Sequence, residues 1–248
     1  MMKQLLILLI CCVMITDAIE AQDFITRGKI EFEIKRNNKR ALIDRYPEMD
    51  FGVNMPEFDI SYRGLVFSDG QLVYSAAYKS GAKPTANETT LYTNLDTRKT
   101  ISKQGFMTDE FLIEDSIRSI KWKIENEVRK IAGFECRKAV GRYHDSMYVV
   151  AFYCPEIIPQ GGPEFFAGLP GMILGLAIPR LYTTWFATRV ELPGADEAKI
   201  APPTVKNSQP QKRQELANML FKKYKDSGWS VDLTLEKVLS FLDIYTFY

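Results

Sequence analysis

A single histidine, His144, occurs in 248 residues, so no second imidazole is available for a metal set or a relay. His144 stands beside Asp145 and Ser146, which match a hydrolase triad by residue type. Three adjacent turn residues cannot reach one another in the nucleophile–base–orienter order, so the trio reads as an exposed turn. Gly-x-Ser-x-Gly, His-Glu-x-x-His and Walker patterns are also missing. Net charge is nearly absent, with 32 basic against 31 acidic residues. That excludes a general nucleic-acid binder, which would carry a basic face or stripe. There is no repeat and no low-complexity tract. Nothing in the pattern asks for a cofactor, a metal ion or a catalytic role for a named residue.

Long apolar runs are scarce as well. Leu5 to Ile15 follows Lys3 and is too short to stay in a bilayer, and small residues come after it. This basic–apolar–small order reads as a signal peptide over residues 1–21, cleaved after Ala21 or, as second choice, after Ala18. Cys11 and Cys12 lie inside the apolar run rather than behind a lipobox, so lipidation is not expected. Loss of Lys3, Asp17 and Glu20 moves the formal charge from +1 to about +2. No membrane span is expected after signal removal. The expected localisation is export. Asn87-Glu88-Thr89 matches a glycosylation sequon, which matters only in a eukaryotic secretory pathway.

What the chain does have is period-2 alternation. Lys29 to Ile34 is a clear case. Phe58 to Phe67 and Leu72 to Tyr78 flank Asp69-Gly70, a strong hairpin signal. Further strands are expected over Thr89 to Leu95, Lys99 to Lys103, Ile120 to Glu125, Phe134 to Tyr143, Met147 to Tyr153, Met172 to Ile178 and Tyr182 to Leu192. No crossover helix separates them, so the pattern implies an antiparallel meander. A short helix is expected around Arg40 to Tyr46. Residues 22–192 form the β domain and 193–210 a polar linker. Residues 211–248 supply an amphipathic helix over Gln211 to Lys225, capped by Gly228, and an apolar tail. In the tail, Val231 to Leu235 alternates like a strand, and Val238 to Leu242 suggests a short helix. The expected fold is mainly β: a curved antiparallel sheet, half-barrel-like, with the C-terminal helix packed on it. A closed or flattened barrel is the alternative.

Two cysteines remain after signal removal. A three-residue loop centred on Asp145 places Cys136 opposite Cys154, which suits a disulfide in an exported protein. Two buried free thiols are the alternative, and two thiolates without histidine neighbours make an incomplete zinc set. Asp109-Glu110 and Glu114-Asp115 could serve a glycosidase only as any surface carboxylates could, and a solvated loop is expected there. Gly161-Gly162-Pro163 and the later glycines are no phosphate cradle, because no Lys-Ser/Thr follows and the prolines remove amide donors.

The segment Gly168-Leu169-Pro170-Gly171-Met172-Ile173-Leu174 is the most specific text in the chain. It is accompanied by Trp122-Lys123-Ile124, by Ile131 to Ala139 with its Gly133-Phe134 and Cys136, and by Ala151-Phe152-Tyr153 with Glu156-Ile157. Gly162-Pro163 and Phe165 or Phe166 complete the set. Together these residues resemble the bacterial GLPGLI family of exported proteins, mostly from Bacteroidetes, with Met172 in place of leucine. The match is firm from Trp122 to Leu174. Family members usually lack the second cysteine, so a bridge would be local to this chain. Gly162, Pro163, Gly168, Pro170, Gly171 and Leu174 form a structural motif, a rigid bend feeding a core strand. Phe165, Phe166, Leu169 and Met172 are the candidate ligand or partner surface, around the entrance of an apolar groove. The missing active-site constellation favours a periplasmic or outer-membrane-associated accessory or binding protein without catalytic activity. A TonB-dependent receptor is the implied partner, since such genes often lie near those of the family. A carrier of an apolar ligand or lipid and a hydrolase with an unrecognised site are the other readings.

Overall fold

Residues 24–49, 55–76, 89–106, 109–143, 147–192, 200–226 and 233–242 are described by the computed structural model. The expectations on residues 1–21, on Asn87-Glu88, on His144-Asp145-Ser146 and on Gly228 fall outside them.

Alternation builds β1 (Arg27–Asn37), which buries Ile30, Phe32 and Ile34 on one face. The short helix α1 (Asn38–Arg45) follows, its first turn capped by the Asn37 side chain, which accepts from the Arg40 amide at 2.8 Å. β2 (Phe58–Ser68) and β3 (Gln71–Ala76) form the expected hairpin. Asp69 (φ 46°) and Gly70 (φ 77°) take the paired positive φ of a type I′ turn. β4 (Thr90–Asn94), β5 (Lys99–Phe106) and β6 (Asp109–Ser116) continue the meander.

β6 is a correction. Asp109, Glu110, Glu114 and Asp115 lie on a strand, not in a solvated loop. Leu112 and Ile113 between them are buried, and basic partners match the acids. Lys103 meets Glu110 at 2.8 Å, and Lys212 meets Glu114 at 2.7 Å. Arg213 meets Asp115 and Lys223 meets Asp109, each at 2.6 Å.

β7 (Lys123–Ile131), longer than expected, then β8 (Phe134–Tyr143), β9 (Met147–Cys154), β10 (Met172–Ile178) and β11 (Thr183–Glu191) complete the C-terminal half. Among the described residues the 12-stranded sheet runs β12-β6-β5-β4-β3-β2-β1-β11-β10-β9-β8-β7. Every pairing is antiparallel except that of the short β12 (Gln211–Lys212) with β6. β1 therefore joins the two halves, with β2 on one side and β11 on the other.

The sheet is curved and does not close. Register shifts at Glu31/Phe32, Ile173/Gly175 and Ile124/Val128 mark bulges, which bend strands and add twist. The curl brings Ile131 of β7 over Gly175 of β10, although β8 and β9 lie between. A Cβ on Gly175 would stand 2.9 Å from the Ile131 Cδ1.

At the β6 edge, α2 (Arg213–Asp226) and α3 (Leu235–Leu242) pack together on Ile113 through Leu216, Ala217, Leu220, Val238 and Leu242. The expected tail strand is not seen in its described part, Leu233 to Leu235. Thr234 accepts from the Lys237 amide at 3.2 Å, an N-cap that turns the chain into α3 instead.

Candidate functional site

Between β9 and β10 the chain does not turn back directly. Residues 155–171 lay themselves over one face of the sheet and bury Ile157, Pro159, Leu169 and the whole run from Gly161 to Ala167 there. Backbone hydrogen bonds pin this segment at both ends. Ile25 donates to Glu156 and accepts from Ile158, both at 2.9 Å, while Met172 donates to Ile157 at 2.9 Å and Ile173 to Gly161 at 2.8 Å. The Trp122 indole donates to the Ala167 carbonyl at 3.0 Å. Gly161 rests on β3, where a Cβ would come 2.3 Å from Leu72. The segment thus fills the concave side of the sheet with the protein's own residues.

The glycine-rich heptad is the exit of this plug. Around Pro170 the Gly171 amide donates to the Leu169 carbonyl at 2.8 Å, a three-residue turn. Gly171 sits at φ 144°, and a Cβ there would lie 2.1 Å from the Cys154 carbonyl oxygen. Gly168 is at φ 90° and exposed, Gly162 packs on Ile173, Pro163 is buried, Pro170 is exposed and Leu174 is in the core.

Phe165, Phe166, Leu169 and Met172 do not border a groove. They are 8%, 1%, 1% and 0% exposed and belong to the main core. Phe165 and Phe166 stack at 5.1 Å, and Tyr143 joins them at 5.2 and 6.2 Å. Their apolar character is spent inside.

The same plug holds a residue with no sequence signal beyond its isolation. Glu164 is the single charged side chain between Gly161 and Ile178, and it is buried at φ 56°. The Phe166 amide closes its turn by donating to Pro163 at 3.3 Å. Burial pushes the Glu164 carboxyl above the usual carboxylate range. Arg63 of β2, the Trp185 indole of β11 and the Tyr74 hydroxyl of β3 pull the other way without prevailing. Arg63 also donates to the Thr89 carbonyl at 3.2 Å.

At the end of the sheet, beside the plug, a cavity of about 630 Å³ stays open. Its walls come from the β2–β3 turn, the β4–β5 turn, the 117–120 connection and the plug itself. Asp69 and Asp96 supply acid, Arg98 and Arg118 base, and Gln160 an amide. Arg98 takes φ 54°, and its carbonyl accepts from the Ile117 amide at 2.9 Å. The guanidinium of Arg118 lies 5.3 Å from the Tyr143 ring and 5.0 Å from that of Phe165. As a site these polar residues did not stand out in the sequence, because they come from separate turns and loops that only the fold brings together.

Cys136 and Cys154 lie where the hairpin register puts them: β8 and β9 pair from Tyr143↔Met147 to Arg137↔Tyr153, one step short of the two cysteines. Both are fully buried, and both are free thiols, so the expected bridge is not formed in this structure. The Cys136 thiol donates to the Phe134 carbonyl at 3.6 Å. The Cys154 sulfur beside it, together with burial, holds Cys136 protonated well above the ordinary thiol range. Among the described residues no group of three His, Cys, Asp or Glu side chains could hold a metal ion. Among them, too, no helix is long and apolar enough to cross a membrane.

No family model matches the chain, and no curated protein does. The fold is found in solved structures. Two structures of PNGF-II, in space groups C2 and P21, superpose with TM-scores of 0.57 and 0.56 at 13% identity. Each match covers 79% of this chain and 33% of that one, so the likeness is to a part of a longer protein and concerns the fold alone.

Proposed function

We propose that this chain is an exported bacterial accessory or binding protein of the periplasm or outer-membrane periphery, and that the polar cavity is its recognition site. One observation carries the reading: the concave face is filled by residues 155–171, while the cavity beside that plug is open and polar. An apolar ligand or lipid on that face would have to displace Phe166 and Leu169, which are buried in the main core, and this weighs against the carrier reading. Export rests on the order of residues 1–21, and the outer-membrane receptor as partner rests on the resemblance to the GLPGLI family. In an oxidising compartment Cys136 and Cys154 pass from thiols to a disulfide once a disulfide-exchange oxidant takes up the two electrons.

Site-specific photo-crosslinkers at Asp96 and Ser119 on the cavity rim, in cells of the native host, test the assignment. Crosslinks to a TonB-dependent receptor or to a polar small molecule are expected there and not at Ile124 on the β7 edge. Equal capture at Ile124, or stoichiometric lipid extracted from the native protein, would overturn it. A broad hydrolase screen addresses the remaining reading.

A further inference from the structure

We infer that the cavity takes a zwitterion, a short free peptide or amino acid, with its ammonium at Asp69 and Asp96 and its carboxylate at Arg118. This rests on the cavity being the recognition site. Its charges come from three segments: Asp69 from the β2–β3 turn, Asp96 and Arg98 from the β4–β5 turn, and Arg118 from the 117–120 connection. Asp69 and Asp96 stand on neighbouring hairpin turns, and a Cβ on Gly70 would lie 3.3 and 3.4 Å from the two Asp96 carboxylate oxygens. Asp96 therefore lies against the residue that follows Asp69. Asp69 accepts from the Ser68 hydroxyl at 2.9 Å, and among the described residues neither acid forms an ion pair. Two acids on adjoining turns at one cavity favour a cation beside them.

Arg118 comes from the 117–120 connection. The Tyr143 and Phe165 rings restrict its guanidinium before any ligand arrives, which lowers the ordering cost of binding. A planar fork held this way suits a carboxylate better than a mobile ammonium would. Arg98 adds a second exposed guanidinium on the β4–β5 turn, so the four lining charges cancel. A purely anionic or purely cationic ligand gains little from such a site. Ile117, Ile120 and Pro159 give aliphatic surface, and among the described residues no aromatic ring lines the cavity for a sugar face to stack on.

Calorimetric titration of the full chain with triglycine, N-acetyl-triglycine, triglycine amide and maltotriose tests the inference. Triglycine should bind, and either blocking group should weaken it by about tenfold or more. In Asp96→Asn acetylation should no longer matter while amidation still does; Arg118→Lys should shrink the penalty for amidation alone. Because two arms alter only the ligand, the test survives a variant that fails to fold. Blocked peptides that bind as well as triglycine would overturn the inference. Maltotriose binding that is lost in Asp96→Asn would overturn it too, while leaving the cavity as a recognition site. Silence from every ligand, with no crosslinks at the rim, removes both.

Discussion

Gly171 shows how little room one position can leave. Its φ of 144° is open to glycine, and an added methyl would sit 2.1 Å from the Cys154 carbonyl oxygen. Gly171→Ala should therefore destabilise the protein by about 1 kcal/mol or more, read as a lower denaturant midpoint with unchanged slope. Leu174→Ala in the core should cost about 2–5 kcal/mol in the same melt. Glu164 makes a prediction of the opposite kind, in pH. Its folded pKa lies above its ordinary 4.5, because burial penalises the carboxylate. The stabilisation it brings is fully present below the unfolded value and fades as pH rises through the folded one. Unfolding free energy should fall over that window in the wild type and fall less in Glu164→Gln; parallel profiles would refute the assignment. Gly171 was legible because the Gly168-Leu169-Pro170-Gly171 step announces backbone geometry. Glu164 was not: a lone acid in an apolar stretch looks the same whether it faces water or the core.

At the scale of elements, legibility followed the range of the forces involved. The β2–β3 turn and the β8–β9 register are set by residues within a few positions, and both were readable. β6 was hidden because four of its eight residues are acids, and what makes them strand residues is a lysine or arginine from β5, β12 or α2. The plug was hidden for a similar reason. Phe165, Phe166, Leu169 and Met172 have the composition of a groove wall, and which side of the wall they occupy is decided by strands far away in sequence. Leu169→Ala and Met172→Ala should thus lower stability by about 2–5 kcal/mol each, as core deletions do. Variants that melt like the wild type would return these side chains to a surface role. The α2–α3 pair also shields the β6 edge, since β12 contributes two residues of pairing and no more. Leu220→Ala should loosen that cover and raise concentration-dependent association, measurable by light scattering.

For the whole molecule, export and the Cys136–Cys154 bridge meet in one measurement. Thiol counting on unfolded, unreduced protein from the native envelope should find no free thiol after signal removal, and protein kept in a reducing cytosol should show two. Two free thiols in the exported form would remove the bridge. The pairing of β1 with β11 has a consequence in time as well as space. Lys29 meets Glu191 and Arg36 meets Thr183, so the first strand of the sheet finds one of its two neighbours some 150 residues later. A chain threaded through an export channel from its N-terminus would form the β2–β6 meander early, yet β1 would wait with one edge open until Glu191 had crossed. Holding that edge unpaired is a hazard, because an open strand can accept a foreign one. In such an export, folding would be paced by the last-arriving partner strand, and a chaperone that shields β1 during transit would raise the yield of folded protein without touching its final stability.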